Sequence, residues 1–274
     1  MLKETSICIS SGIYIGVILA FSPPPTIGRY KVLGVVGKID DIVVLSCEDK
    51  LTGQLREMKA VRSRLSPPTS ALYVDSSHIV KVIDLGSEAG WAYTVTEKVR
   101  WQPLSLMKAE KQSLTFYTLL LEGLLRAVKA LYEAGIRYGY VDWRVIYWSP
   151  VGPVLDCVGI SALVCDQTYC EGIYELLADS KKMFDVRWYK RALNLARREE
   201  IDKALKVLID GYSSDARRRL AVLITQLAQA GKAAEPLRKE ILRVALMKRL
   251  DLAVVYDLEK RAEELLGAEA EESE

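Results

Sequence analysis

Cysteine and histidine, the residue types best suited to metal or thiol chemistry, are few and scattered in this chain. The 274 residues include five cysteines and one histidine, and no two cysteines form a Cys-x-x-Cys pair. Zinc sites in proteins typically use such pairs, often together with histidine. We therefore expect no zinc site, and thiols that are reduced and mostly buried, as in a cytosolic protein. A disulfide between Cys165 and Cys170 is the alternative.

The charged residues form a basic region followed by an acidic one. The formal net charge is +2, yet residues 171–249 hold 18 Lys/Arg against 11 Asp/Glu, while residues 250–274 hold 2 against 9. Such runs most often form solvated helix faces and a soluble terminus. The alternative is an electrostatic contact, either within the chain or with a partner. The basic clusters are Lys181-Lys182, Lys190-Arg191, Arg197-Arg198 and Arg217-Arg218-Arg219.

An apolar segment, Ile7 to Phe21, opens the chain and is closed by Pro23, Pro24 and Pro25. A membrane-spanning helix needs about 20 apolar residues, and a signal peptide needs a basic start and a cleavage site. Both features are weak or missing here. We favour an extra strand followed by an extended proline spacer over residues 1–28, with a membrane anchor or signal through residues 7–21 as the alternative.

Residues 29–100 alternate apolar and polar positions with a period of two and are rich in Val, Ile and Tyr. Gly, Asp and Pro separate these short runs. This pattern predicts an antiparallel sheet. The predicted strands are Tyr30–Gly37, Ile42–Glu48, Leu55–Arg62, Val80–Leu85 and Ala92–Lys98.

After Trp101 the apolar period becomes that of a helix. The stripe from Leu114 to Ala134 predicts a helix that ends at Gly135. A hairpin follows, with strands at Val145–Trp148 and Val154–Cys157. Residues 171–266 are predicted to be helical, with breaks near Gly211 and Gly231, and residues 267–274 form an acidic tail. The fold class is therefore α+β, a β lobe followed by a helical lobe.

The order of these elements, with six local motifs, resembles the protein kinase family from Arg29 to Ile160. The resemblance implies a two-lobe fold: a small β N-lobe at 29–100, the start of a helical C-lobe at 101–170, and a divergent helical region at 171–266. The motifs are Arg29-Tyr30-Lys31-Val32-Leu33-Gly34, Glu48-Asp49-Lys50-Leu51-Thr52-Gly53, Met58-Lys59-Ala60-Val61, His78-Ile79-Val80-Lys81-Val82, Tyr93-Thr94-Val95-Thr96-Glu97 and Leu131-Tyr132-Glu133-Ala134-Gly135-Ile136.

The resemblance implies a glycine-rich loop over the ATP phosphates, and this chain departs from it. Gly37 keeps the first glycine, but Ile39 and Ile42 stand at the other two. Their branched side chains, with the carboxylates of Asp40 and Asp41, would crowd and repel a triphosphate. An ordinary hairpin turn is the favoured interpretation.

Lys59 stands where the family carries its ATP lysine, which a glutamate of the third helix normally holds. No glutamate occurs between Lys59 and Glu88, and Pro67-Pro68 leaves little room for that helix. We expect the helix to be absent or vestigial, and Lys59 to be either a nucleotide contact or an unpartnered, half-buried lysine. The candidate nucleotide contacts are Gly37, Val44, Lys59, Glu97 and Val99.

The catalytic loop lacks the family's base and asparagine. Tyr140 stands in the place of the aspartate and Val145 in the place of the asparagine, and neither side chain can replace the lost group. Asp142 is the candidate substitute base. The alternative is that Asp142 pairs with Arg144.

The family's metal-binding Asp-Phe-Gly is also absent. Matching on Gly159 places Cys157 at the first position, which offers no hard oxygen for magnesium. Shifting the register makes Asp156 the candidate substitute, but Val158 then replaces the glycine. We do not expect a magnesium site.

These departures favour a pseudokinase that acts as a regulatory or scaffold binding module. No cofactor is required, although ATP binding stays open. We expect a protein partner at the basic helical region 181–219 rather than nucleic acid, and a cytoplasmic location. The alternatives are an atypical serine/threonine kinase using Lys59, Asp142 and Asp156, and a receptor-like kinase homologue anchored in the membrane through residues 7–21.

Overall fold

The computed structural model describes residues 23–107, 112–230, 234–247 and 250–271. The apolar segment 7–21 lies outside these residues, as does the end of the acidic tail. Among the described helices, none is both long and apolar enough to cross a membrane.

The first lobe is one antiparallel sheet, as the period-two pattern predicts. The strands are β1 (Thr26–Ile27), β2 (Tyr30–Ile39), β3 (Ile42–Asp49), β4 (Leu55–Arg62), β5 (Val82–Glu88) and β6 (Trp91–Thr96). They lie side by side in the order β1-β2-β3-β4-β6-β5. The strand β4 has the predicted bounds, and each of the other predicted strands differs from the observed one by one to three residues at one or both ends.

The two faces of this sheet have different roles, because successive side chains of a strand point to opposite faces. One face carries an apolar cluster of its own, which includes Leu45, Met58 and Trp91. The other face carries Ile42 and Val61, which join the main core that the sheet shares with the helical lobe. The cleft between the lobes lies on this second face.

Between β4 and β5 the only helical turn is the short 3-10 segment Thr69–Tyr73. The family's third helix is therefore missing from this lobe, as Pro67-Pro68 and the turn-rich sequence predict. The carboxylate that this helix normally supplies must come from elsewhere if Lys59 is to be paired.

The second lobe is helical and surrounds one hairpin. Its first helix begins at Ser113, whose side chain accepts a hydrogen bond from the backbone N–H of Phe116, and is buried along most of its length. The elements are α1 (Leu114–Glu133), β7 (Ile146–Ser149), β8 (Gly152–Leu155), α2 (Tyr169–Leu176), α3 (Ser180–Met183), α4 (Arg187–Arg197), α5 (Ile201–Gln229), α6 (Glu235–Ala245) and α7 (Leu252–Glu271).

The predicted break near Gly211 is wrong. Gly211 lies inside α5, where the side chain of Trp188 occupies the space that a Cβ would need. The glycine therefore permits a close contact between α4 and α5 rather than ending a helix. Gly231 lies outside the described residues, just after α5 ends.

The hairpin β7–β8 joins the two lobes. On one side the N–H of Val80 donates to the carbonyl of Leu155 (2.9 Å), and the N–H of Leu155 donates to that of His78 (2.8 Å). On the other side Trp148 N–H donates to the Gln102 carbonyl (3.1 Å). The segment that leads into β5 and the segment that connects the sheet to the helices are thus both hydrogen-bonded to one hairpin, which fixes their positions.

No disulfide joins Cys165 to Cys170, so that alternative is wrong. Both thiols are free, as are Cys47 and Cys157, and all but Cys165 are buried. Cys8 lies outside the described residues. In the part of the chain that the structure describes, no three His, Cys, Asp or Glu side chains are grouped to hold a metal ion.

Candidate functional site

Lys59 is the central charge of the cleft. It lies in the middle of β4, with Val44 of β3 and Thr94 of β6 beside it in register. Its side chain is only 1% exposed, so the expectation of a half-buried, unpartnered lysine is wrong. The Nζ atom lies 2.8 Å from Oδ2 of Asp156 and donates a hydrogen bond to Oγ1 of Thr96 at 2.9 Å.

A second carboxylate, Glu57, pairs with the same lysine. Its Oε1 lies 2.8 Å from Lys59 Nζ, but the angles do not make a well-aligned hydrogen bond, and this oxygen is fully enclosed. Glu57 precedes Lys59 by two residues, so both side chains share one face of β4. The two-residue spacing predicts this pairing, although the sequence prediction included only Lys59.

Asp156 follows β8 directly. Its backbone N–H donates to the carbonyl of Val145 (2.8 Å), which places its carboxylate under the sheet. Cys157, the other candidate for this position, is buried in the main core with a left-handed backbone (φ 59°). Asp156, the substitute obtained by shifting the register, is therefore the residue that meets Lys59.

The charges of this trio keep Lys59 protonated. Burial alone would lower the pKa of Lys59, but the carboxylates of Asp156 and Glu57 outweigh burial and raise it. One cation between two carboxylates leaves a net negative charge in an enclosed space. Burial, followed by the Asp156 charge, also raises the pKa of the Cys157 thiol, which is therefore a poor metal ligand.

Val145 and Tyr140, at the positions where the resemblance would place an asparagine and a base, have structural contacts. Val145 is fully buried in the main core. The Tyr140 hydroxyl donates to the carbonyl of Val164 at 3.3 Å. Burial and then the nearby carboxylate of Asp40 raise the pKa of Tyr140, so its phenol stays protonated at neutral pH and cannot accept a proton.

Asp142, the candidate substitute base, is paired with Arg144. The Nε of Arg144 lies 2.8 Å from Asp142 Oδ1, and its Nη2 lies 3.0 Å from Oδ2 of Asp40 at the tip of the β2–β3 hairpin. Burial would raise the pKa of Asp142, but the hydrogen bonds from Arg144 outweigh it and lower the pKa. Arg144 thus ties the hairpin tip to the loop where the catalytic residues would stand.

The β2–β3 hairpin is held by two isoleucines that pack against the main core. Ile42 is 0% exposed within the main core, and Ile39 packs against the same core. Gly37 pairs with Val44, and a Cβ added to Gly37 would meet no atom within 4 Å. The isoleucines therefore anchor the hairpin. At position 37 a residue with a side chain would fit, so nothing in this conformation requires a glycine there.

The remaining predicted nucleotide contacts are only partly brought together. Val44 lies beside Lys59, but the side chain of Glu97 is 80% exposed and pairs loosely with Arg56 (3.6 Å). Glu97 and Val99 line a groove of about 600 Å³ whose lining does not include Lys59, Val44 or Gly37.

The basic helical region 181–219 is largely engaged within the chain. Lys182 pairs with Asp179 (2.9 Å) and Lys190 with Asp185 (2.6 Å). Lys181 and Arg197 both lie over the ring of Tyr174. Arg219 pairs with Glu259 of α7 (2.9 Å), which is a contact between the basic and acidic parts of the chain.

Comparison with known proteins shows similarity in fold. No family model matches the chain, and the search of curated proteins gives no match. Among solved structures, the kinase domain of Mycobacterium tuberculosis PknI is similar, with a TM-score of 0.52 and 13% sequence identity. The match covers 65% of this chain and 91% of the PknI chain. The chain thus has the protein-kinase-like two-lobe α+β fold, with a small antiparallel N-lobe and a helical C-lobe.

Proposed function

We propose that this chain is a pseudokinase, a kinase-like protein that transfers no phosphate and acts as a regulatory or scaffold binding module. The observation that carries the proposal is that Lys59 is only 1% exposed, with Glu57 and Asp156 each 2.8 Å from its Nζ. A carboxylate partner is usual for the lysine of a kinase, but here the burial and the Thr96 hydroxyl at 2.9 Å leave no open side of the ammonium group for a phosphate.

Electrostatics argue against a triphosphate in this cleft. At an effective dielectric constant of about 20, two like unit charges 4 Å apart repel by about 4 kcal/mol. A nucleotide phosphate beside Lys59 would approach two carboxylates as well as the ammonium group. It would also have to enter past a hairpin whose isoleucines pack into the core and whose tip is paired with Arg144. The residues present do not fit ATP with magnesium.

The positions that would perform the chemistry also argue against catalysis. Tyr140 is protonated at neutral pH, Val145 has no ligand atom, and Asp142 is paired with Arg144. Phosphoryl transfer depends on positioning and electrostatic stabilisation, and losing one such group typically lowers a rate by orders of magnitude. Several are missing here at once.

A thermal-shift titration with ATP and magnesium, together with an ATP-turnover assay, tests the proposal. A ligand that binds the folded state raises its melting temperature. Since the proposal is that ATP does not bind, we expect millimolar nucleotide to leave the melting temperature unchanged, and we expect no turnover. The matched variant is Glu57→Gln, which removes one competing charge and keeps Lys59 and Asp156. A wild-type shift that is strengthened in Glu57→Gln, with measurable turnover, would refute the proposal.

A second candidate is an atypical serine/threonine kinase that uses Lys59, Asp156 and Asp142 in a rearranged site. The 2.8 Å contact between Lys59 and Asp156 favours it, since a lysine and a metal-binding aspartate meet in kinase sites. This candidate requires turnover that Asp142→Asn abolishes while the melting temperature stays near that of the wild type. Equal activity in Asp142→Asn and wild type would exclude it.

A further inference from the structure

A groove lies along the segment that connects the two lobes, and we call it the hinge groove. Its volume is about 600 Å³, within the roughly 300–1,000 Å³ typical of ligand pockets. It is bounded by the start of β5, the segment after β6 and the turn of the β7–β8 hairpin. The lining residues are Ser77, Ile79, Val80, Lys81, Ile83, Glu97, Lys98, Val99, Arg100, Trp101, Val151 and Val154.

The floor of the hinge groove is apolar and held in place. Ile79 and Val80 are buried and belong to the segment that is hydrogen-bonded to β8. Two large apolar side chains on the groove are open to solvent, Trp101 at 43% and Val151 at 53% exposed. A preformed apolar surface with an accessible tryptophan is typical of a protein interaction site.

The rim of the hinge groove is basic and unpaired. Lys81, Lys98 and Arg100 are exposed, and none of them forms an ion pair with a carboxylate of the described residues. Glu97, the one acidic residue on the groove, lies 3.6 Å from Arg56. The rim therefore carries an excess of positive charge that the described fold does not neutralise, in contrast to most cations of the basic helical region.

We propose that the hinge groove docks a short acidic segment of a partner protein, with apolar side chains on the floor and carboxylates at the rim. Charge complementarity selects such an occupant, because carboxylates can pair with Lys81, Lys98 and Arg100 while leucine-like side chains cover Trp101 and Val151. This inference rests on the proposal that the chain acts by binding, and it adds the site and the chemistry of the partner.

The acidic end of the chain itself is not placed to fill the groove. Ala253, Asp257 and Lys260 of α7 line a neighbouring cavity together with Trp101. No described residue of α7 lines the hinge groove itself. The described part of the acidic region therefore does not occupy the hinge groove, and we assign the segment to a partner protein.

The test is a selection from a random peptide library displayed on phage, against the full chain. We expect the enriched peptides to combine apolar residues with two or more Asp or Glu. Fluorescently labelled versions should bind at least about tenfold more weakly to the Lys98→Glu/Arg100→Glu variant, since like charges across an interface oppose binding. They should also bind at least about tenfold more weakly to Val151→Asp, which places a charge on the apolar floor.

The matched control is Arg191→Glu/Arg198→Glu, which reverses two exposed cations outside the groove and should change the affinity by less than about twofold. Peptides that bind the groove variants as tightly as wild type, or that lose binding to the control, would overturn the proposal. So would a selection that enriches no acidic-apolar motif. Unchanged melting temperatures establish that the variants fold.

The nucleotide titration tests the cleft and the peptide selection tests the hinge groove. Failure of the docking proposal and failure of the pseudokinase proposal are therefore separate outcomes.

Discussion

The cleft and the hinge groove are lined by different residues and differ in how their charges are paired. In the cleft, Lys59 pairs with two carboxylates and Arg144 with two more, all from the same chain. In the hinge groove, three cations have no carboxylate partner among the described residues. Charges that are paired internally contribute to the fold and must be separated before a ligand can use them. Unpaired charges are available to a ligand at once.

The largest effect that distinguishes the two regions should come from Lys59→Met. The substitution leaves Glu57 and Asp156 buried without a cation, and breaking a buried pair in this way typically costs about 3–5 kcal/mol of unfolding free energy. Urea denaturation followed by circular dichroism measures the change.

The control for Lys59→Met is the triple variant Lys59→Met/Glu57→Gln/Asp156→Asn, which removes the charge from all three side chains of the buried trio. Because no isolated charge remains buried, we expect most of the lost stability to return. A loss below about 1 kcal/mol in Lys59→Met alone would mean that the trio is no more important than a surface pair, and the contrast between the two regions would fail.

A smaller effect should come from Arg144→Gln, which removes the tie between the hairpin tip and the loop. Arg144 and its partners are partly exposed, so we expect a loss of only about 0.2–1 kcal/mol in unfolding free energy. Amide hydrogen exchange should nevertheless rise locally, around Asp40 and Asp41. Unchanged exchange at the hairpin would show that its isoleucines alone hold it closed.

The effect of Arg144 should also depend on pH. In the folded chain the hydrogen bonds from Arg144 lower the pKa of Asp142. The stability that this contact contributes is therefore complete above the pKa of an unfolded aspartate, about 4, and is lost as the pH falls through the lower pKa of the folded state. The difference in unfolding free energy between wild type and Arg144→Gln should therefore be constant from pH 7 to about 5 and shrink below about pH 4. A difference that persists at about pH 2 would exclude Asp142 as the titrating partner.

The smallest effect on stability should come from the hinge groove. Lys98→Ser/Arg100→Ser removes exposed cations that have no carboxylate partner in the described fold, so the unfolding free energy should change by less than about 0.5 kcal/mol. A loss comparable to that of Lys59→Met would mean that these cations are structural, and the two regions would no longer differ.

The pattern of residues was sufficient to predict the sheet, because period two and turn residues mark strands locally. β4 was predicted with its observed bounds, and α1 to within one residue of its end. Gly211 misled the prediction because its neighbour in space, Trp188, lies on another helix. A glycine that permits close packing and a glycine that ends a helix look alike until the packing is known.

The candidate site could be predicted only in part. The resemblance located Lys59 and gave Asp156 only as a substitute for Cys157 in a shifted register. The structure placed Asp156 within 2.8 Å of Lys59 and separated Glu97 from both. The pairing of Arg144 with Asp40 spans 104 positions and depends on how the lobes close, which no local pattern records. Glu57 was within reach of the sequence, because strand geometry places it beside Lys59.

The contact between Lys59 and Asp156 also has a mechanical consequence. Lys59 belongs to the sheet and Asp156 to the helical lobe, so their ion pair crosses the cleft, as does that of Arg144 with Asp40. Together with the hydrogen bonds to the β7–β8 hairpin, these pairs join the lobes at several separated points. Moving the lobes apart would therefore require these contacts to break together.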